Sequence, residues 1–486
     1  MYLGIDIGTS GVKAVLIDDE QKLIGQKTAD LSVSRPQPGW SEQDPLDWWM
    51  ATEVALDRLH REFPAEMSAV EGIGLSGQMH GATLLDANDD ILRPAILWND
   101  GRSFAECAAL DARADFRGIG GNLVMPGFTA PKLEWVRWHE PEIFSKVAKV
   151  LLPKDYVRFR LTGEYFSDMS DSAGTLWLDV DERRWSDRLL EATGMTREQM
   201  PALIEGTEPS ATLKPELADR WGMANSPVVA GGAGDNAASA CGIGAVEPGG
   251  AFLSLGTSGV LFVSTDRFRP NTDSAVHAFC HALPETWHQM GVILSATDSL
   301  NWLGRLTGSD PAELVKAAET RAEEGEGPSQ IAFLPYLSGE RTPHNDANAR
   351  GLFAGLSQSH EQAELARAVL DGVAFAFRDC LDALIAAGTK VDRLTALGGG
   401  ARSRLWLKIM ASVLERPVDI PAHGEYGAAF GAARLGMTAC GIPSAEVFTP
   451  PMIETTIEPD ARLTEGYQEP LRRYRALYPA IKEVMS

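Results

Sequence analysis

Two aspartates set among glycines are the residues best placed to do chemistry. Asp235 closes the run Gly231-Gly232-Ala233-Gly234 and stands with Asn236 ahead of a small-residue helix expected from about Ala237. A carboxylate at that junction can be held by neighbouring backbone donors, while the glycines leave room for a ligand. Asp6 precedes the bend Gly8-Thr9-Ser10-Gly11-Val12, which is repeated residue for residue at Gly256-Thr257-Ser258-Gly259-Val260. Ser254 stands in the second copy where the first has Asp6, so only one bend keeps an acid. Such turns aim successive backbone N–H groups at one spot, which suits a phosphate. Two phosphate-gripping bends across a cleft, Asp6 positioning Mg²⁺ through water and Asp235 accepting a hydroxyl proton, describe phosphoryl transfer better than glycoside hydrolysis. Phosphoryl transfer is mostly positioning and charge neutralisation, so an ordinary aspartate suffices as base. Lys13 is a candidate cation for the terminal phosphate.

Each bend needs a hairpin to hold it. Apolar runs at Tyr2 to Ile7 and Val12 to Ile17 flank the first, and Ala251 to Leu255 and Val260 to Val263 flank the second, as expected for an internal duplication. A third anion-binding turn is expected where a short strand, Leu394 to Leu397, meets Gly398-Gly399-Gly400-Ala401 and then a helix from about Arg402 to Leu414. That turn lacks the G-x-G-x-x-G spacing of a Rossmann fingerprint, and the chain contains no G-x-x-x-x-G-K-[ST] loop.

Candidates for a sugar site lie at strand ends in the first half. The apolar run from Val70 stops at Ser76-Gly77-Gln78-Met79-His80-Gly81, where Gln78 and His80 can bond sugar hydroxyls and Met79 can form an adaptable wall. Trp98 ends another apolar run, and Phe128 and Thr129 stand ahead of a helix through Leu133 to Val136. Asp44-Pro45 predicts a helix to about Arg61 with Trp48, Trp49, Val54 and Leu56 as its apolar contacts. A strand over Val147 to Leu152 is expected to end in a Pro153-Lys154-Asp155 turn, and Ser167 to Trp177 in a loop at the cleft. Glu323 to Ser329 is expected as an exposed connection, Glu340 and Arg341 as a mutual pair, and Tyr467 to Val484 as a terminal helix.

With 486 residues, 44% of them hydrophobic, the chain can bury cores for two to four domains. A net charge of -23 argues against nucleic acid or an anionic membrane as partner. Five cysteines without a C-x-x-C pair, no membrane-length apolar run and no charged leader lead to the expectation of a cytoplasmic protein in a reducing compartment.

The stretches G-I-D-I-G-T-S-G-V-K, W-S-E-Q-D-P, S-G-Q-M-H-G-A-T-L-L-D, L-W-N-D-G-R, G-F-T-A-P-K-L, L-L-P-K-D-Y, S-D-M-S-D, S-L-G-T-S-G-V, L-P-Y-L-S-G-E-R-T-P-H and G-G-G-A-R-S, in this order, resemble the FGGY carbohydrate kinases. The resemblance implies an α/β protein of two duplicated ribonuclease H-like domains, of the actin, hexokinase and Hsp70 type, around a central cleft. The halves would be residues 1–244 on the sugar side and 245–440 on the nucleotide side, with an extension at 441–486. It implies ATP and Mg²⁺ as cofactors and D-xylulose as the small-molecule partner, phosphorylated on its 5-hydroxyl, with a homodimer among the assemblies it allows. By family position Asp235 is the proton acceptor, Met79 and His80 are sugar contacts and Asn236 lies beside them; the strand-end and helix-start readings add Gln78, Trp98 and Thr129 as substrate contacts. By the same position Asp6, Thr9, Lys13 and Thr257 face the phosphates and metal, with Gly399, Gly400 and Ser403 near the nucleotide, and the glycine turns themselves add Gly8, Ser10, Gly256 and Gly398. Glycerol kinases carry Arg-Glu where this chain has Met79-His80, which favours a ketopentose. One departure is the run before Asp235, a residue longer than the G-G-G-D form of some relatives. A kinase for another ketose or a pentitol, and a non-catalytic ATP-binding scaffold, are the alternatives.

Overall fold

The computed structural model describes residues 1–325, 327–422 and 427–485, and its architecture is set by two mixed seven-stranded sheets. In the first, β1 (Tyr2–Ile7), β2 (Gly11–Ile17) and β3 (Leu23–Asp30) form an antiparallel meander. On the other side of β1, β4 (Gly72–Gly77) and β5 (Val228–Ala230) add in parallel. The second sheet repeats the plan with β6 (Ala251–Leu255), β7 (Gly259–Thr265), β8 (Trp287–Ile293), β9 (Leu394–Leu397) and β10 (Val418–Pro421). In both, five consecutive strands run third, second, first, fourth, fifth, with the first three antiparallel and the last two parallel. The duplication visible in one bend thus extends to the whole strand order.

One face of the first sheet is covered by the helix Pro45–Glu62, whose start is fixed by Asp44 accepting the Leu46 amide at 2.9 Å and by proline in the first turn. Trp48, Trp49 and Leu56 are buried as expected, but Val54 lies with Leu46 and Met50 on the opposite stripe and is 39% exposed. On the other face lies the helix Ala428–Ala439, from late in the chain. A Cβ at Gly74 of β4 would stand 1.7 Å from the Ala432 carbonyl oxygen, so only glycine lets helix and sheet approach this closely. The same helix packs against Asp235–Gly242, where a Cβ on Gly431 would meet the Ala238 carbonyl at 1.7 Å. Small residues on both helices therefore press the Asp235 helix against Ala428–Ala439, which itself lies on β1 and β4.

The second sheet is covered by the helices Gln362–Ala386 and Arg404–Leu414, and the helix Ala461–Met485 packs on both of them. The last begins ahead of Tyr467 because Asp460 accepts the Arg462 and Leu463 amides, a cap hidden in an acidic stretch. A further apolar cluster joins the halves, with Met79, Phe128 and Trp177 packed against Phe262, Phe279 and Met290.

Two expectations need correction. Pro153-Lys154-Asp155 is the first turn of the helix Pro153–Thr162, with Lys154 and Asp155 fully buried. The expected loop at Ser167 to Trp177 carries strand Phe166–Asp168 and helix Met169–Ala173, and its polar residues point inward. Of the connection expected at Glu323 to Ser329, residue 326 lies outside the described residues. Cysteines 107, 241, 280 and 380 are buried free thiols and Cys440 is partly buried. Among the described residues no helix is long and apolar enough to cross a membrane.

Candidate active site

Strand register brings the two aspartates together. β1 and β4 run parallel with Asp6 opposite Ser76 and Ile7 opposite Gly77. On the far side of β4, Ala233 and Gly234 pair with Ser76 and Gly77. Three parallel segments therefore end at one edge, where open α/β sheets bind ligands. Asp6 is on one of them, Asp235 follows another, and Gln78-Met79-His80 leaves the strand between.

Asp235 opens the helix Asp235–Gly242, and its Oδ1 accepts the Asn236 amide at 2.7 Å and the Asn236 side chain at 2.9 Å. Burial, followed by the nearby Asp6 charge, pushes its pKa up to about 7, against the pull of the Asn236 bonds. Asp6 is also raised, by burial, while Ser76 and Lys13 oppose the shift. Asp6 Oδ1 is buried without a hydrogen-bond partner among the described residues. An orphaned carboxylate oxygen at a phosphate-binding bend, beside a second acid, fits a hydrated cation. No cluster of three or more His, Cys, Asp or Glu side chains suited to a metal occurs among the described residues, so phosphate and water would supply the remaining ligands, the usual manner of Mg²⁺.

The bends are held by their carbonyls. The Gln43 side chain donates to the Thr9 carbonyl at 2.8 Å, and the Thr297 and Ala296 amides donate to the Gly256 and Thr257 carbonyls at 2.9 and 2.8 Å. In a trans peptide the N–H points opposite to the C=O, so the amides of Ser10, Thr257 and Ser258 are turned away from these anchors. The first bend is braced further by a chain of side chains. Trp98 Nε1 donates to Thr9 Oγ1 at 3.0 Å, Thr9 Oγ1 to Gln78 Oε1 at 2.8 Å, and Gln78 Nε2 to Gln43 Oε1 at 2.9 Å. Gln78 is 3% exposed: its amide supports the bend instead of reaching for a sugar, while the partly exposed Trp98 ring borders the cleft.

Met79 packs between Gly174 and Gly234, where a Cβ on either glycine would meet its side chain at 2.8 and 3.0 Å. His80 has φ 70°, and its Nδ1 lies 2.7 Å from the Gly174 carbonyl. A carbonyl only accepts, so Nδ1 carries the proton and Nε2 is left as an acceptor for a ligand hydroxyl. Burial, then the Lys132 charge, lowers the His80 pKa to about 3, which keeps the ring neutral. The unusual backbone of His80 is held by Thr129 Oγ1 and Lys132 Nζ, which donate to its carbonyl at 3.2 and 2.8 Å. Thr129, expected as a substrate contact, is fully buried in the first turn of its helix and supports the Gln78-Met79-His80 loop from beneath.

Gly398, at φ 87°, brings the third glycine turn against β6, where a Cβ would meet the Leu255 carbonyl oxygen at 2.7 Å. Gly399 faces open space. With Gly400 and Ser403 it lines a cavity of about 450 Å³ bounded by Thr297, Asn301, Ala312 and Glu319. Ser403 caps the helix Arg404–Leu414 by accepting the Trp406 amide at 3.1 Å, and it donates to Glu319 at 3.2 Å. The walls from Thr297 and Ala312 carry no motif and were missed by the sequence reading.

Arg341 was missed as well. Glu340, expected to pair with it, instead accepts the backbone amides of Leu294 and Arg341 at 3.1 and 2.7 Å. The Arg341 guanidinium lies 3.4 Å from His277 Nε2, while His277 Nδ1 is 3.0 Å from Asn122 Oδ1. Asn122 Nδ2 donates to two carbonyls, so its Oδ1 is the acceptor and His277 Nε2 receives the Arg341 proton. Phe128 meets His80 and His277 edge-on, at centroid distances of 4.7 and 5.6 Å. The second half thus brings a cation close to the Gln78-Met79-His80 loop of the first.

A duplicated ribonuclease H-like fold with matching glycine bends, and two carboxylates beside the Gln78-Met79-His80 loop, is the arrangement of a sugar kinase. The chain belongs to the FGGY family of carbohydrate kinases: the family's N-terminal domain matches residues 1–242 and its C-terminal domain residues 251–440. It is 50% identical to the xylulose kinase of Escherichia coli (strain K12) over 489 residues, covering 100% of both chains. Among solved structures it is similar to a xyloylose kinase from Brucella ovis, with TM-score 0.96, 57% identity and 99% of both chains covered. It is also similar to the xylulose kinase from Rhodospirillum rubrum, with TM-score 0.91, 30% identity and coverage of 100% of this chain and 99% of that one.

Proposed function

We propose that this kinase transfers the γ-phosphoryl group of ATP to the 5-hydroxyl of D-xylulose, with Asp235 as general base. The observation that carries the proposal is the pair of carboxylates at one strand edge, with a neutral His80 and the Met79 wall between them. The sugar oxygen attacks the γ-phosphorus, its proton passes to the Asp235 carboxylate, and the bond to the β,γ-bridging oxygen breaks to release ADP. Asp6 and Lys13 would hold the metal–phosphate end, and the Gly8–Ser10 and Gly256–Thr257 bends would grip the phosphates from opposite walls. Mg²⁺ bound there would neutralise charge on the phosphate oxygens. Adenosine is assigned to the cavity beside Gly398, Gly399, Gly400 and Ser403. Sugar contacts are assigned to Met79, His80, Asn236, Trp98 and Arg341, with Gln78 and Thr129 as supports. In this reading residues 1–244 serve mainly the sugar, 245–440 the nucleotide, and 441–486 buttress the second sheet. The relatives at about half identity over their full length favour a ketopentose, and a panel of ketoses and pentitols in an ADP-release assay tests it. Turnover greatest with D-xylulose is the expected result; a different preferred sugar overturns the substrate, and ATP hydrolysis indifferent to any sugar overturns the reaction.

The pH dependence follows from the base. Only the deprotonated carboxylate accepts a proton, so kcat/KM for the sugar should fall about tenfold per pH unit below about 7 and level off above it. A flat profile through that range would show that the base is another group. His80 makes a narrower prediction. Losing one neutral hydrogen bond should raise the sugar KM about two- to tenfold in His80→Ala and leave nucleotide affinity within about twofold, as read by initial rates and equilibrium titration.

A further inference from the structure

Beneath Asp235 lies a group of buried charges that the mechanism above does not use. Lys154 Nζ stands 2.6 Å from Asp155, 2.7 Å from Asp168 and 3.0 Å from Asp171, and none of these side chains is exposed. Buried ion pairs recover their desolvation cost only in part and are weak stabilisers compared with well-packed apolar groups. The contacts of this cluster suggest another use.

Ser170 Oγ donates to Asp168 Oδ2 at 2.5 Å and accepts the backbone N–H of Gly234, the residue before the base, at 3.0 Å. At the other end of the same glycine run, Arg158, 3.5 Å from Asp155, donates to the Gly231 carbonyl. Between these points Gly232 takes φ 75°. The run that is one residue longer than in some relatives is thus pinned at both ends by one buried network. The network reaches the sugar loop too: the Gly174 amide donates to the Asp171 carbonyl at 3.0 Å, and the Gly174 carbonyl receives His80 Nδ1. A Cβ on Gly77, at the end of β4, would lie 3.2 Å from the Lys154 side chain.

We infer that Ser170, Asp168 and Lys154 are positioning residues for the base. By holding the Gly234 amide they set where the helix Asp235–Gly242 begins, and so where the carboxylate stands relative to Asp6 and His80. The inference rests on the reading of Asp235 as general base. A displacement of about 1 Å can cost roughly 10²-fold in rate, so the effect should fall on turnover and not on binding.

The test is a double-mutant cycle in the full-length enzyme. Ser170→Ala removes the acceptor for Gly234 and should lower kcat about 10- to 100-fold, with both KM values within about threefold. Ser170→Thr keeps the hydroxyl and should recover most of that loss. In an Asp235→Ala background, Ser170→Ala should cost less than about twofold more, because a support has no effect once the group it positions is gone. Ser170→Cys, close in size but a weak acceptor, gives the same split should the alanine variant not fold. Full multiplication of the two losses, a change in KM alone, or wild-type kcat in Ser170→Ala would overturn the inference while leaving the base in place. Wild-type kcat in Asp235→Ala would instead remove the reading beneath it.

Discussion

Asp235→Ala is expected to lower kcat by roughly 10²- to 10⁴-fold, the range of general-base assistance, while the KM for ATP changes little. Among the described residues the carboxylate bonds only to Asn236, and its helix is held by small-residue packing against Ala428–Ala439, so the variant should fold with an unchanged thermal midpoint. Burial and Asp6 raise the Asp235 pKa, and alanine removes that strain along with the base. Steady-state rates with a sensitive ADP-release assay decide the matter. A variant with wild-type kcat and a normal fold would assign the proton to another acceptor.

Asp6→Asn is expected to cost about 10²- to 10³-fold in kcat, because a metal–phosphate interaction contributes several kcal/mol of charge stabilisation at each tenfold per 1.36 kcal/mol. Its signature differs from that of the base. The half-saturating Mg²⁺ concentration should rise, since Oδ1 is the buried carboxylate oxygen left without a partner among the described residues. Removing the Asp6 charge should also lower the Asp235 pKa, moving the acid limb of the pH profile downward. Mg²⁺ titrations across pH measure both effects. An unchanged Mg²⁺ requirement would place the cation elsewhere.

The parts legible in sequence were those in which local pattern and function coincide. Five identical residues in two bends revealed the duplication because both copies need the same tight turn between apolar strands. Asp235 was marked by its glycines, and Gly398-Gly399-Gly400 by the strand before and the helix after. What escaped were side chains whose direction is decided by packing at long range. Gln78 and Thr129 have the chemistry of sugar ligands, yet tertiary packing commits one to Thr9 and Gln43 and the other to the His80 carbonyl. Small polar residues at Ser167 to Trp177 show no periodicity and so resemble a loop, but they surround Lys154 in the interior. Arg341 reads in the sequence as half of a local pair with Glu340, because nothing in the chain announces that Glu340 spends its carboxylate on backbone amides.

The most direct measurement is a crystal structure of the ternary complex with D-xylulose, Mg²⁺ and a non-hydrolysable ATP analogue. An Asp235 oxygen should lie within hydrogen-bond reach of the sugar 5-hydroxyl, about 2.6–3.2 Å, with the γ-phosphate between the Gly8–Ser10 and Gly256–Ser258 bends and the metal on the Asp6 side. A sugar bound with its 5-hydroxyl turned away from Asp235, or a triphosphate touching only one bend, would contradict the account.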